Sequence, residues 1–521
     1  MEKKNLIGLL FILLIIFLYP FYLQIFAPQP SPKITKTAVI DFPQEVSIQV
    51  VDKEEVKNYD TVHDTVLQNK HLRIECTNKG AGINMIQLIQ FNNQQEGNPI
   101  SIYKNDTYSK KILYFTHPFL NYDLNKAVYA YNESKNGVSY YLLVPGQCLI
   151  EKKIILEENT HLLKFNLRLQ NLDQKPLPVN VGFVGGQNLK TKEPWEERYW
   201  EIAFAQEGKI KHEFFRQIRT SKIYLAPLPW LALKSKYFSQ IIVPSSGTTS
   251  FTAQRLADNG LEVSVQVPLT ILQPGETKEE NFLFYFGPLD TRVLHQYNSE
   301  WKEIVYYGMF DGIAKFILRI LRGGFMLLKN YGLAIIFLSL LVNLFLFPFT
   351  WKSMKSMQAL QSLQPQIERL RKEYAQDPQR LNKEILGIYQ KHKVNPFGGC
   401  LPLFLQMPIF VSLYQVLSRA VELKGARFLW IKDLSLPDNL FSFPQKVLFL
   451  DSFNLLPLIM VLLMYLQQKK TQVYSPSQKQ TTWFMPFFFG FIFYNFPSGL
   501  VLYWLVSTLL NLILQGKVHK G

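Results

Sequence analysis

"LAIIFLSLLVNLFLFPFT" occupies Leu333–Thr350. The stretch is long and apolar enough to cross a bilayer as a helix. Its one side-chain amide, Asn343, lies well inside it. A polar side chain surrounded by hydrocarbon needs a partner or water. Ser339 lies four residues earlier, so a helix puts both on one face. The reading of this segment decides whether the chain is a membrane protein and where its chemistry sits.

Working outward, similar segments follow. After the span at 331–350 come apolar runs at about 400–417, 453–466, 483–496 and 499–514. Two of these are only 14 residues long. At 1.5 Å per residue each covers about 21 Å, against a hydrocarbon core of roughly 30 Å. They read either as re-entrant segments or as spans in a thinned bilayer. A first apolar run, Leu6–Phe26, follows two lysines near the N-terminus, and its length favours an uncleaved anchor over a secretory signal.

Charge decides between these readings. The 521 residues carry a net +16, with 48% hydrophobic and 14% aromatic residues, 40 of them Phe. From Ala27 to Phe310 there are 31 Lys and Arg against 30 Asp and Glu, whereas the rest has 25 against 10. The positive surplus therefore flanks the apolar runs. This fits basic loops at a membrane better than a nucleic-acid surface, and no specific nucleic-acid partner is expected. Residues 351–399 hold nine basic and four acidic residues, "QQKK" at 467–470 and the tail "KVHKG" are basic, and 419–451 is nearly balanced, five to four. With a cytoplasmic N-terminus and six spans, every basic loop falls inside. The expectation is a multi-pass protein with both termini in the cytoplasm.

The domain boundaries follow from these shifts. Residues 1–27 read as a transmembrane anchor and 28–59, opening on "APQPSPK", as a linker. Residues 60–305 hold short strand-like segments such as "HLRIECT", "VSYYLLV", "CLIEKKIILEE", "HLLKFNLRLQN" and "GLEVSVQVPL", separated by Asn, Gly and Pro. That spacing predicts a large antiparallel β-sandwich. Residues 308–329 read as a basic amphipathic helix on the membrane surface. Lys315, Arg319 and Arg322 mark one face, with Ile313, Phe316, Ile317 and Ile320 opposite. Residues 331–514 form a core of five spans, with 515–521 as a basic cytoplasmic tail. The loop 351–395 has helical periodicity on both sides of "AQDPQ", with helix-start chemistry at Asp377-Pro378, and reads as a helical hairpin.

Polar residues recur within the spans. Tyr503, Ser507 and Asn511 are spaced i, i+4, i+8, and the third span carries Gln406, Ser412, Tyr414 and Gln415. Taken singly, such residues hold helices together at about 0.6–2 kcal/mol each. Stripes on several spans point to a shared wet cavity. No Asp/Glu/His relay for a coupled transporter, no P-loop and no nucleophile–base pattern stands out. Neither a cofactor nor a metal is expected. The only cysteines are Cys76, Cys148 and Cys400, which excludes a disulfide framework and leaves a Cys76–Cys148 pair open.

"NPFGGCLPLFLQMPIF" (395–410) and "FPSGLVLYW" (496–504) resemble the YidC/Oxa/Alb family of membrane protein insertases. The resemblance spans the whole chain and is most specific over 331–514; the large domain resembles the Gram-negative YidC version. It implies a polytopic α-helical protein of the bacterial inner membrane, with six transmembrane helices, five forming the insertase core, and a large periplasmic β-supersandwich. It implies an insertase and chaperone, not an enzyme, that takes nascent membrane proteins, alone or with the Sec translocon, through a hydrophilic groove open to cytoplasm and lipid. The ribosome or signal recognition machinery and membrane lipid are the other implied partners. The groove would be lined by Ser339, Asn343, Gln406, Tyr503, Trp504 and Ser507, and the docking hairpin would present Lys352, Lys355, Arg369, Arg371 and Lys372. The family's arginine in the second span falls at Asn343 here, and the second Tyr of its "LVLYY" falls at Trp504. Arg419, near the outer end of its own span, is too far displaced to replace that arginine. Two other readings are a small-solute transporter or channel, and an anchored periplasmic carbohydrate-binding protein whose cleft would use "PWEERYW" (194–200) or "PLPW" (227–230).

Overall fold

The computed structural model describes residues 61–518, except 93–97, 106–110, 117–119, 121, 189–193, 248, 257–259, 393, 395–400, 448–449 and 472–478. The expected anchor, linker, the "NPFGG" part of the motif and the last residues of the tail lie outside the described residues. The chain divides into two compact units, one ending at Val305 and one beginning at Tyr306.

The first unit is built from antiparallel strands. A nine-stranded sheet runs, in order, Lys209–Phe214, Glu201–Gln206, Leu231–Lys234, Phe238–Pro244, Thr277–Pro288, Leu162–Asn171, Cys148–Leu156, Gly137–Val144 and Ala130–Ser134. Alternation explains why these segments are strands. In Leu162–Asn171 the residues Leu163, Phe165, Leu167 and Leu169 are buried, while Lys164, Asn166 and Arg168 face outward. A four-stranded sheet of Gly182–Asn188, Leu261–Gln266, Ser250–Arg255 and Ser221–Tyr224 lies over it. Phe183 from this sheet meets Phe165 and Phe282 of the larger one, with ring centroids 5.3 and 5.0 Å apart. The sheets come close at Gly185, where a Cβ would lie 2.6 Å from Ile242 Cδ1. The sandwich expected from the sequence is present, with a second four-stranded sheet, Asp64–Gln68, Leu72–Thr77, Gly82–Asn92 and Pro99–Lys104, beside it.

Burial in this unit reaches charged groups. Lys152 is fully buried, and its ammonium donates to Gly80 O (3.1 Å), Ala81 O (3.4 Å) and Leu113 O (2.6 Å). Carbonyl oxygens there replace water. Cys76 and Cys148 are both buried free thiols. Trp200 and Trp230, the aromatics that a sugar cleft would have needed, are buried at 1% exposure each and pack in the core.

The second unit is helical. Counting from Thr291–Tyr297 (α1) in the first unit, its helices are α2 (Asp311–Leu328), α3 (Tyr331–Glu373), α4 (Pro378–Lys391), α5 (Leu401–Arg419), α6 (Leu455–Thr471), α7 (Lys479–Phe493) and α8 (Ser498–Val518). Helix α3 runs 43 residues without a break through Pro348 and Pro365. The span and the first arm of the loop are thus one helix. Asp377 caps α4, its carboxylate accepting from Arg380 N at 3.0 Å. Among the described residues one helix, over 331–360, is both long and apolar enough to cross a membrane; the apolar parts of α6, α7 and α8 are shorter.

Helix α2 differs from the expectation in two respects. Its packed face is Ala314, Ile317, Leu318, Leu321 and Gly324, turned to α3 and α5. Ile313 and Phe316, read as one apolar face with Ile317, are exposed. Arg322, read as part of a free basic face, is only 17% exposed and pairs with Glu422, Nε donating to Oε1 at 2.6 Å. The face that packs is chosen by the small residues Ala314 and Gly324, which let α3 approach.

One pH dependence follows. His161 is buried against Tyr285, Tyr297 and His71, its ring 4.3 Å from that of His71. Burial first, and then the neighbouring imidazole, push it from 6.5 down to about 4. The folded state therefore binds fewer protons than the unfolded state between those values. Its contribution is fully present above pH 6.5 and falls as pH drops toward 4, by about 3 kcal/mol at most. Denaturant titrations of the whole protein, following hydrogen exchange in residues 61–305, should show a shallower loss of stability from pH 6.5 to 4 in His161→Gln than in the wild type.

Candidate functional site

The polar side chains of the apolar helices fall into two groups. Four hydroxyls, of Ser339, Thr350, Ser412 and Thr508, bond back to their own helix. Ser339 Oγ donates to Ile335 O (2.8 Å), Thr350 Oγ1 to Leu346 O (3.0 Å), Ser412 Oγ to Pro408 O (2.8 Å) and Thr508 Oγ1 to Trp504 O (2.9 Å). This back-bonding to the carbonyl four residues earlier is the local option open to Ser and Thr in a helix. It needs no cavity, and Ser339 is wholly buried.

The amides reach between helices. Asn343 Nδ2 donates to Ser339 O (2.7 Å) and to Ser507 Oγ of α8 (2.9 Å). Gln406 Nε2 of α5 is 2.9 Å from the hydroxyl of Tyr503, one turn before Ser507 on α8. Helix α8 packs on α3 and touches α5, which brings these groups together. Five of the six residues expected at a groove, Ser339, Asn343, Gln406, Tyr503 and Ser507, therefore gather at one three-helix contact. Ser339 and Tyr503 are fully buried in it, while Asn343, Gln406 and Ser507 are half-buried and form its accessible part.

Trp504, the sixth, turns elsewhere. It is one residue beyond Tyr503, about 100° around the helix, and lies among Phe410, Phe489 and Phe493 at centroid distances of 5.5, 6.2 and 5.4 Å. It packs an aromatic cluster beside the polar contact. Gln415, expected among the polar residues of its span, and Ser418, which periodicity did not single out, are both buried: Gln415 Oε1 and Ser418 Oγ have no hydrogen-bond partner among the described residues. Arg419 lies at the far end of α5, with Nη1 3.4 Å from Tyr306 O. It supplies no charge to the Asn343 contact. The segments 331–350, 400–418, 453–466 and 483–514 contain no Asp, Glu, Lys, Arg or His at all.

Lys352, Lys355, Arg369, Arg371 and Lys372 are all exposed along the lower part of α3. Lys355 Nζ lies 5.7 Å from the ring centre of Trp351. This arm has the positive, solvated character of a surface that meets an acidic partner.

The two kinds of contact differ in their energies. Tyr503→Phe removes one neutral hydrogen bond and should cost about 0.5–1.5 kcal/mol. Trp504→Ala empties an aromatic site and should cost roughly 3 kcal/mol. Thermal unfolding in detergent should therefore show the larger drop for Trp504→Ala; the reverse order would contradict this partition.

Two family descriptions match the chain, "60Kd inner membrane protein" over residues 324–520 and "YidC periplasmic domain" over 64–320. Curated relatives named "Membrane protein insertase YidC" include one from Syntrophobacter fumaroxidans, 33% identical over 417 residues that cover 78% of this chain and 74% of that one. Another from Geotalea uraniireducens is 29% identical over 547 residues, covering 100% and 99%. A third, from Geobacter metallireducens, is 36% identical over 335 residues, covering 64% and 60%. A crystal structure titled as an active YidC insertase covers 99% of both chains at 19% identity and a TM-score of 0.40, and adds no weight to the assignment. The polar contact of α3, α5 and α8 thus sits in the part matched to an inner membrane protein and the β-sandwich in the part matched to a periplasmic domain: the chain belongs to the YidC family of membrane protein insertases.

Proposed function

We propose that this protein inserts nascent inner-membrane proteins, and helps them fold, through a polar groove whose accessible part is Asn343, Gln406 and Ser507. The supporting observation is the pairing of Asn343 with Ser507 inside helices that are otherwise apolar. A segment entering beside these groups finds hydrogen-bonding partners partway into the hydrocarbon. That lowers the cost of moving a polar tail across. The substrate's own apolar segment then moves into lipid, and its transfer out of water supplies the driving force. No bond is made or broken, so the protein is not an enzyme in that sense.

In this reading the chain spans the bacterial inner membrane six times, with α3, α5, α6, α7 and α8 as the five core spans and both termini in the cytoplasm. The positive-inside distribution of Lys and Arg supports it. The β-sandwich lies in the periplasm. Helix α2 lies at the interface, with Ile313, Phe316, Met326 and Leu327 exposed to lipid. The basic arm of α3 and helix α4 meet the ribosome or signal recognition machinery, and the Sec translocon is a further partner for larger substrates.

The test is insertion of a single-span reporter with a polar, uncharged N-terminal tail, in cells where this chain is the sole insertase. Asn343→Leu should lower insertion roughly three- to tenfold, the loss of one interhelical polar contact in lipid. Asn343→Gln, which keeps an amide, should retain most of the activity. Wild-type activity in Asn343→Leu would sink the polar-groove reading.

A further inference from the structure

The orientation of the Asn343 amide is set by its neighbours, and this determines what the site offers an incoming chain. Ser339 O is a backbone carbonyl and can only accept. At 2.7 Å it must face the amide nitrogen. The second hydrogen of Nδ2 points to Ser507 Oγ at 2.9 Å. Both donors of Asn343 are therefore engaged within the protein. Its carbonyl oxygen, Oδ1, has no partner among the described residues, and the side chain is half-buried. What Asn343 presents to the groove is an acceptor.

Gln406, in the accessible part of the same contact, keeps a second Nε2 hydrogen beyond its bond to Tyr503, so the surroundings add a neutral donor but no charge. The hydroxyl of Ser339 is turned to Ile335 O and is buried. The apolar segments around the contact hold no ionisable Asp, Glu, Lys, Arg or His. The nearest basic residue down α3 is Lys352, nine residues on, about 13 Å along the helix axis. It is exposed, where its field is screened over about 8–10 Å. A carboxylate arriving at this level finds no fixed positive charge and faces an oxygen. An ammonium, a hydroxyl or a peptide N–H meets an acceptor that is already oriented, and with an ammonium the bond is charge-assisted.

We propose that this groove is an acceptor-type site, selecting translocated segments that carry uncharged polar or basic residues over those that carry acidic ones. The inference rests on the insertase reading and names its substrate class. Asn343 is then the specificity-determining residue, because it combines an accessible position with an oxygen that two fixed donor bonds orient and that has no partner among the described residues.

The experiment uses the full chain, purified and reconstituted in vesicles of neutral lipid with no membrane potential, so that only the groove distinguishes the substrates. Three single-span substrates differ only in the translocated tail, carrying two Lys, two Ser or two Asp at the same positions. For the wild type, insertion of the Lys tail should exceed that of the Asp tail at least threefold, with the Ser tail equal to or above the Lys tail. Asn343→Arg should reverse the order of the two charged tails. Asn343→Leu should lower the Lys and Ser tails together and bring the Lys-to-Asp ratio down. Equal insertion of the Lys and Asp tails by the wild type, or preference for the Asp tail, overturns the proposal while leaving the insertase reading intact. Failure of all three tails, with the β-sandwich and helices shown folded by circular dichroism, overturns the insertase reading of the site itself. Should Asn343→Arg not fold, Ser507→Ala tests the same point: it frees one Nδ2 hydrogen to face the groove, and the Lys-to-Asp ratio should fall.

Discussion

A polar group in an apolar helix bundle must find a partner, and its cheapest partner is the backbone of its own helix. Ser339, Thr350, Ser412 and Thr508 all take this route. Their hydroxyls are short enough to fold back on the carbonyl four residues earlier. Asn343 does the same with one hydrogen but has a second to place, and that second hydrogen reaches Ser507 on α8. The contact between α3 and α8 thus depends on a side chain with more donors than its own helix can accept. Gln406, longer by one methylene, takes the hydroxyl of Tyr503 on the same helix. These two amides define where α3, α5 and α8 meet and what remains open between them.

Much of this architecture was legible in the residues. Alternation in "HLLKFNLRLQN" gives a strand with Leu163, Phe165, Leu167 and Leu169 inward, because a period of two has only one way to bury its apolar half. The acidic and Pro residues at Asp377-Pro378 mark a helix start because the Asp377 carboxylate accepts from a free N–H there and Pro378 has none that needs a partner. Placing Asn343 with Ser339 needed only the helical period. Which hydroxyls line a groove was not legible. Ser339 reads as part of a polar stripe, but its burial is set by the helices packed over it, and its hydroxyl turns back to Ile335 O; the sequence pattern carries no information on either.

Contacts distant in sequence were the other blind spot. Arg322 and Glu422 are 100 residues apart, so helical periodicity assigns Arg322 to a free basic face when it is in fact held in an ion pair. The apolar residues of α2 encircle more than one face, and local pattern cannot decide which face meets α3 and α5. Pro348 and Pro365 illustrate a different failure. Each removes one backbone donor, and a soluble helix often ends there. In α3 the helix continues through both. Around Pro348 the alternative is to expose unpaired backbone to hydrocarbon, which costs more than a single missing hydrogen bond.

The same economy of partners explains why a neutral site can serve a membrane protein that handles polar chains. A fixed charge at the level of Asn343 would carry a desolvation cost in the resting protein and would need its own counter-ion or water. The amide carries neither requirement, since both of its donors are closed by Ser339 and Ser507. Under the acceptor-site proposal that oxygen discriminates by sign rather than strength, rewarding donors modestly and giving an acid no bond of its own. Restoring a cation at this position is therefore more than a change of charge. A guanidinium would have to give up the tie to Ser507 or displace α8, so binding chemistry and helix packing change together at Asn343. For this reason the acceptor character of the site and the α3–α8 contact are best regarded as one feature, held by a single side chain.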